Sequence, residues 1–122
     1  MNTLPYFFNT LPSLRIQSSD GKQTVDTAQI LFLEACGNYT FLHLVTGSRL
    51  IASKNVGLFE APLAQFGFIR LNKSINVNLS FVKDTCYKDQ EFAIKLINDQ
   101  WYNCSRRKTP KVKKLIKQSK TL

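Results

Sequence analysis

The chain has 122 residues, 43% of them hydrophobic, with three cysteines and a formal net charge of +9. That length fits one domain with one core, and that apolar content argues against general disorder. Residues 1–13 contain Tyr6, Phe7 and Phe8 but neither a basic leader nor a long apolar run, which excludes a signal peptide and a membrane span as readings of that end. They are expected to form an arm covering a sheet edge, and the protein is expected in the cytoplasm.

Alternating apolar and polar residues bounded by turn residues predict strands over 14–18, 23–27, 30–35, 39–44 and 49–52. Gly37-Asn38 between the third and fourth predicts a hairpin or tight corner from which Asn38, Tyr39 and Thr40 project. Val56, Phe59, Leu63 and Phe66 predict a helix over 55–66; Gly57 weakens it, and Pro62 should kink it or move its start towards Leu58. Strands follow over 68–71, 81–87, 92–97 and 101–104, with turns at Lys88-Asp89-Gln90-Glu91 and Asn98-Asp99-Gln100. Ser105 suits an N-cap, Pro110 suits a first turn, and Val112, Leu115 and Ile116 stand at i, i+3, i+4. A short helix therefore starts between Ser105 and Thr109. The class is mostly β, with one or two short helices.

Charge is distributed unevenly along this order. Residues 105–122 hold eight basic side chains and no acidic one, whereas residues 1–104 hold nine basic and eight acidic. A basic tract of this kind gains affinity for a polyanion by releasing its condensed counterions. Residues 67–82 add a second signal, because Arg70, Asn72, Lys73, Ser74, Asn76 and Asn78 interleave with apolar residues and no carboxylate interrupts them. A strand-and-loop built this way has one face for a core and another suited to phosphates and base edges.

Catalysis has little to stand on. His43, the only histidine, alternates with Leu42 and Leu44 and suits a sheet better than a base or ligand, and the eight carboxylates are scattered. Neither a phosphate-cradling glycine loop nor a nucleophile elbow occurs. Cys36, Cys86 and Cys104 are widely spaced and odd in number, which disfavours a disulfide framework or a zinc site and suits small buried thiols. No enzyme activity, cofactor, metal or small-molecule substrate is expected.

Taken in order, these segments resemble the LytTR family of bacterial DNA-binding domains. Glu34-Ala35-Cys36-Gly37-Asn38-Tyr39-Thr40 is similar to its Glu-Ala-x-Gly-Asn-Tyr corner. Phe68-Ile69-Arg70-Leu71-Asn72-Lys73-Ser74-Ile75-Asn76-Val77-Asn78 is similar to its Phe-Ile-Arg-x-His-Arg-Ser-x-x-Val-Asn stretch. Ser105-Arg106-Arg107 before a basic helix is similar to its end, and the resemblance covers residues 14–116. Asn72-Lys73 replaces the family's His-Arg, putting an amide and a point charge where a forked donor would stand.

The resemblance implies an elongated arrangement of small antiparallel sheets over 14–116, between the 1–13 arm and a basic tail at 117–122. It implies a transcriptional regulator that binds double-stranded DNA sequence-specifically, its loops rather than a recognition helix entering the major groove. The DNA contacts it implies are Asn38, Tyr39 and Thr40, then Asn72, Lys73 and Ser74, then Arg106 and Arg107. Binding sites would be direct repeats, met by a homodimer or by molecules in tandem. The family is often fused to a receiver domain, for which 122 residues leave no room. Two other readings stand beside this one: a β-rich single-strand or RNA binder stacking bases on Tyr39, Phe41 and Trp101, and a protein-interaction module whose basic end only solubilises.

Overall fold

Ten strands and two helices make up the computed structural model, which describes residues 13–18 and 21–120. The strands are β1 (Ser13–Ser18), β2 (Gly21–Asp26), β3 (Ile30–Cys36), β4 (Tyr39–Leu44), β5 (Arg49–Ala52), β6 (Phe68–Arg70), β7 (Ile75–Asn78), β8 (Val82–Lys88), β9 (Glu91–Leu96) and β10 (Trp101–Cys104). Helix α1 spans Gly57–Ala64 and α2 spans Thr109–Lys120. All pairings are antiparallel, in a β1-β2 hairpin, a five-stranded sheet ordered β5-β4-β3-β7-β6, and a three-stranded sheet ordered β10-β9-β8. The arm expected over 1–13 lies outside the described residues apart from Ser13.

The five-stranded sheet is covered on both faces, which explains why Ile30, Leu31, Phe32 and Leu33 are apolar without interruption and all buried. On one face Leu33, Leu42, Ala52 and Phe68 pack with Val56, Phe59 and Leu63 around α1, and with Ile16 and Val25 of the β1-β2 hairpin. On the other face Phe32, Ile69 and Val77 pack with Phe92, Ile94, Leu96 and Cys104 of the three-stranded sheet. Val112 and Ile116 join that second cluster and Leu115 packs against it, so the i, i+3, i+4 stripe docks α2 as its spacing predicts.

The expected 55–66 helix is α-helical only over α1, with a tight turn at each end. Asn55 starts it, its Oδ1 accepting from Leu58 N at 3.3 Å, and Phe66 N donates to Leu63 O at the close. Gly67, at φ +85°, then reverses the chain into β6. The helix starts at Gly57, next to Leu58, and Pro62 lies inside it. Ser105 caps a turn ahead of α2 rather than α2 itself: Lys108 N donates to Ser105 Oγ at 3.3 Å and the helix begins at Thr109. At its other end α2 continues to Lys120, past residue 116.

Two expectations are corrected by burial. Asn76 and Asn78 do not belong to an exposed polar face, being 0% and 3% exposed. Asn78 Nδ2 donates to Ile30 O at 2.9 Å and its Oδ1 accepts from Ser80 N, fastening β7 to the start of β3. Of the cysteines only Cys104 is buried; Cys36 and Cys86 are exposed.

Candidate nucleic-acid interface

The turn between β3 and β4 has a positive φ at Gly37 (+60°) and not at Asn38, the sign pattern of a II′ turn with glycine first. It leaves Asn38 and Tyr39 exposed, Tyr39 by 52%. Strand alternation then turns Thr40 inward: it is fully buried, and its Oγ1 donates to Lys54 O at 2.7 Å. Thr40 therefore pins the segment after β5 to this corner instead of projecting from it.

The second corner, between β6 and β7, is built around Asn72 and Arg70. Asn72 Oδ1 accepts from Ser74 N (2.8 Å) and Ile75 N (3.0 Å), while its Nδ2 donates to Asn103 O (2.7 Å). Three bonds thus hold the Asn72 amide in place within the fold. Arg70 donates Nε–H to Asn72 O at 3.0 Å and Nη2–H to Lys73 O, and its Nη1 lies 3.1 Å from Glu60 Oε1. What the corner offers outward is Lys73, exposed, with half-buried Ser74 beside it.

Main-chain bonds gather the three corners. Ala35 N donates to Ser74 O (2.8 Å), joining the first to the second. Ser105 N donates to Leu71 O (2.9 Å) and Asn72 reaches Asn103, joining the second to the third. Arg106 and Arg107 follow Ser105, both exposed, and they diverge. Arg107 lines an open cleft of about 600 Å3 with Arg70, Asn72, Lys73, Ser105 and Lys108, whereas Arg106 borders a separate cleft against Tyr87, Gln90 and Lys113.

Glu60 divides the cations of the larger cleft into two kinds. Its carboxylate pairs with Arg70 and, at 3.5 Å, with Lys108. Burial works to raise the Glu60 carboxyl, but the Arg70 hydrogen bond and the charges of Lys108 and Arg70 together hold it below the ordinary 4.5. Among the described residues no carboxylate pairs with Lys73, Arg106 or Arg107. Sequence reasoning left out this brace. Its trace was Glu60 itself, the only carboxylate between Glu34 and Asp84.

The remaining candidates are occupied elsewhere. His43 Nε2 lies 2.8 Å from Glu34 Oε1 and its ring stacks on Phe32 at 4.2 Å, so it is a sheet residue. Arg49 covers the Phe41 ring at 4.2 Å, and Lys95 lies 5.7 Å from the Trp101 centroid. No group of His, Cys, Asp and Glu among the described residues could hold a metal ion, and no helix there is long and apolar enough to cross a membrane.

Small antiparallel sheets whose second and third corners present Lys73, Arg106 and Arg107, with no carboxylate paired to them among the described residues, define a β-rich domain suited to a polyanion. A family model described as the LytTr DNA-binding domain matches residues 21–117, and the chain belongs to that family of DNA-binding domains. In fold it is similar to the LytTr DNA-binding domain of a Bacillus cereus protein described as a methyl-accepting/DNA response regulator. That likeness has a TM-score of 0.72 at 21% identity, over 85% of this chain and 95% of the other. No curated protein matches the sequence.

Proposed function

We propose that this chain recognises double-stranded DNA sequence-specifically, as a transcriptional regulator, through the three joined corners entering the major groove. The observation that carries this reading is the set of bonds joining Ala35 to Ser74, Leu71 to Ser105 and Asn72 to Asn103. Through them Tyr39, Lys73 and Arg107 hang on one continuous hydrogen-bonded frame. Arg107 is the base reader, because its guanidinium bonds guanine O6 and N7 in two places. Lys73 and Arg106 meet phosphates or single acceptors, and Asn38 and Tyr39 contact the strand at the first corner. Asn72 and Thr40 serve by position: one shapes the second corner, the other fixes the first against Lys54. A domain presenting one such surface binds direct repeats as molecules in tandem.

A stacking single-strand binder is the weaker reading. Of its three platforms, Phe41 and Trp101 have cations over their rings, and Trp101 begins β10 while Ser105 follows the strand's other end. Gel shifts with duplex DNA, single-stranded DNA and RNA of one sequence test the choice. Duplex preference, with one enriched motif in a selection from random duplexes, supports the proposal. Equal or better binding of the single strands overturns it.

A further inference from the structure

The β1-β2 hairpin carries cations that the three corners do not use. In its register Arg15 lies opposite Thr24 and Gln17 opposite Lys22. Period-2 alternation puts these four on one face, and all but Thr24 border a shared cleft. The other face supplies Ile16 and Val25 to the core. That cleft, of about 300 Å3, is lined by Arg15, Ile16, Gln17, Lys22 and Lys54. Arg15, Lys22 and Lys54 are exposed, and none pairs with a carboxylate among the described residues. Asp26, at the far end of the hairpin opposite Ser13, accepts from Ala28 N at 3.0 Å and caps a turn there.

Two bonds tie this cleft to the first corner. Ser53 N donates to Gln17 O at 2.7 Å, and Lys54 O accepts from Thr40 Oγ1. Thr40 directly follows exposed Tyr39, so the cationic cleft flanks that corner on the side reached through β5. Resting on the duplex reading above, we propose that Arg15, Lys22 and Lys54 form a fourth contact, gripping the phosphate backbone beyond the three corners. Three cations on flexible stems supply charge, and the one amide bordering the cleft, that of Gln17, has its Nε2 donating to Ser18 O at 3.3 Å. The contact therefore adds affinity without sequence preference.

Salt titrations of binding to a mixed-sequence duplex of about 40 base pairs test it, comparing wild type with Arg15→Gln/Lys22→Gln, Arg15→Lys/Lys22→Arg and Lys73→Ala. The Gln pair should bind on the order of tenfold to a hundredfold more weakly near ~0.1 M salt, its log–log slope shallower by about two units. The charge-keeping pair should match wild type, and thermal unfolding should be unchanged in both. If the Gln pair superimposes on wild type while Lys73→Ala is shallower, the hairpin contact is wrong and the corner interface stands. A flat wild-type slope removes both. A Gln pair that reorders binding to single-base variants of a selected site also overturns the proposal, since a backbone contact does not read sequence.

Discussion

Arg70 and Lys73 stand three residues apart on one corner and act as opposite kinds of cation. Arg70 has a carboxylate at 3.1 Å and two carbonyls on its guanidinium, whereas Lys73 is exposed and lends the fold only its main chain. Arg70→Ala should therefore lower the unfolding temperature and weaken all DNA binding together, because the corner loses its brace. Lys73→Ala should leave unfolding within about ±0.5 kcal/mol and make the salt slope shallower by about one unit. Lys73→Arg, which restores the family residue, should bind more tightly. Arg107→Ala should cost about 1–3 kcal/mol on the best site and relax preference at one guanine. Binding to a panel of single-base operator variants, with thermal unfolding alongside, separates these cases; an Arg107→Ala protein that unfolds, or that binds unchanged, removes Arg107 from the reading surface. Composition marked this stretch as polar and cationic, but it does not say which donors the fold consumes. Asn72 and Arg70 are consumed by contacts across the corner, and Asn103, 31 residues further on, is not a neighbour a local pattern can anticipate.

At the scale of elements, α2 fixes where the third corner sits. Val112 is fully buried, so Val112→Ala should destabilise the domain by about 2 kcal/mol or more. It should also weaken DNA binding although it touches no DNA, which denaturant unfolding and gel shifts on the same variant would test. The Glu60 brace ties α1 to β6 and to the turn before α2, and it gives stability a pH dependence. A carboxyl held below its ordinary 4.5 stabilises the fold above that pH, and the contribution is lost as pH falls through the lower native value. Glu60→Gln should thus unfold somewhat earlier than wild type at pH 7, and the two unfolding curves should converge in acid. A difference that persists unchanged into acid would mean the brace acts through packing rather than charge. Elements with strong local signals were legible: the 39–44 and 49–52 strands, the glycine turn, and the apolar stripe of α2. Strand β7 was not among the expected strands, because its four residues Ile75, Asn76, Val77 and Asn78 place two amides in the core. Their burial follows from pairing β7 between β3 and β6, a non-local fact.

For the molecule as a whole the question is how its charge is shared between affinity and specificity. Eight basic residues lie in 105–122, yet in the proposed interface only Arg106 and Arg107 touch DNA from a position fixed by a corner. If about 4–6 phosphates are neutralised, log K against log salt should fall with a slope of roughly −4 to −5. Lys117 is exposed near the end of α2, beyond Ile116, the last residue of the buried stripe. Deleting residues 117–122 should therefore weaken binding modestly and by the same factor on every duplex, because it removes charge and leaves the three corners in place. The unfolding temperature should drop only slightly, since Val112 and Ile116 remain to dock the shortened helix. Selection of binding sites with the truncated and full chains decides the matter. Matching motifs at reduced affinity place sequence reading at the corners, whereas a shifted motif would move it into the end of α2 and make the helix itself a reader of DNA.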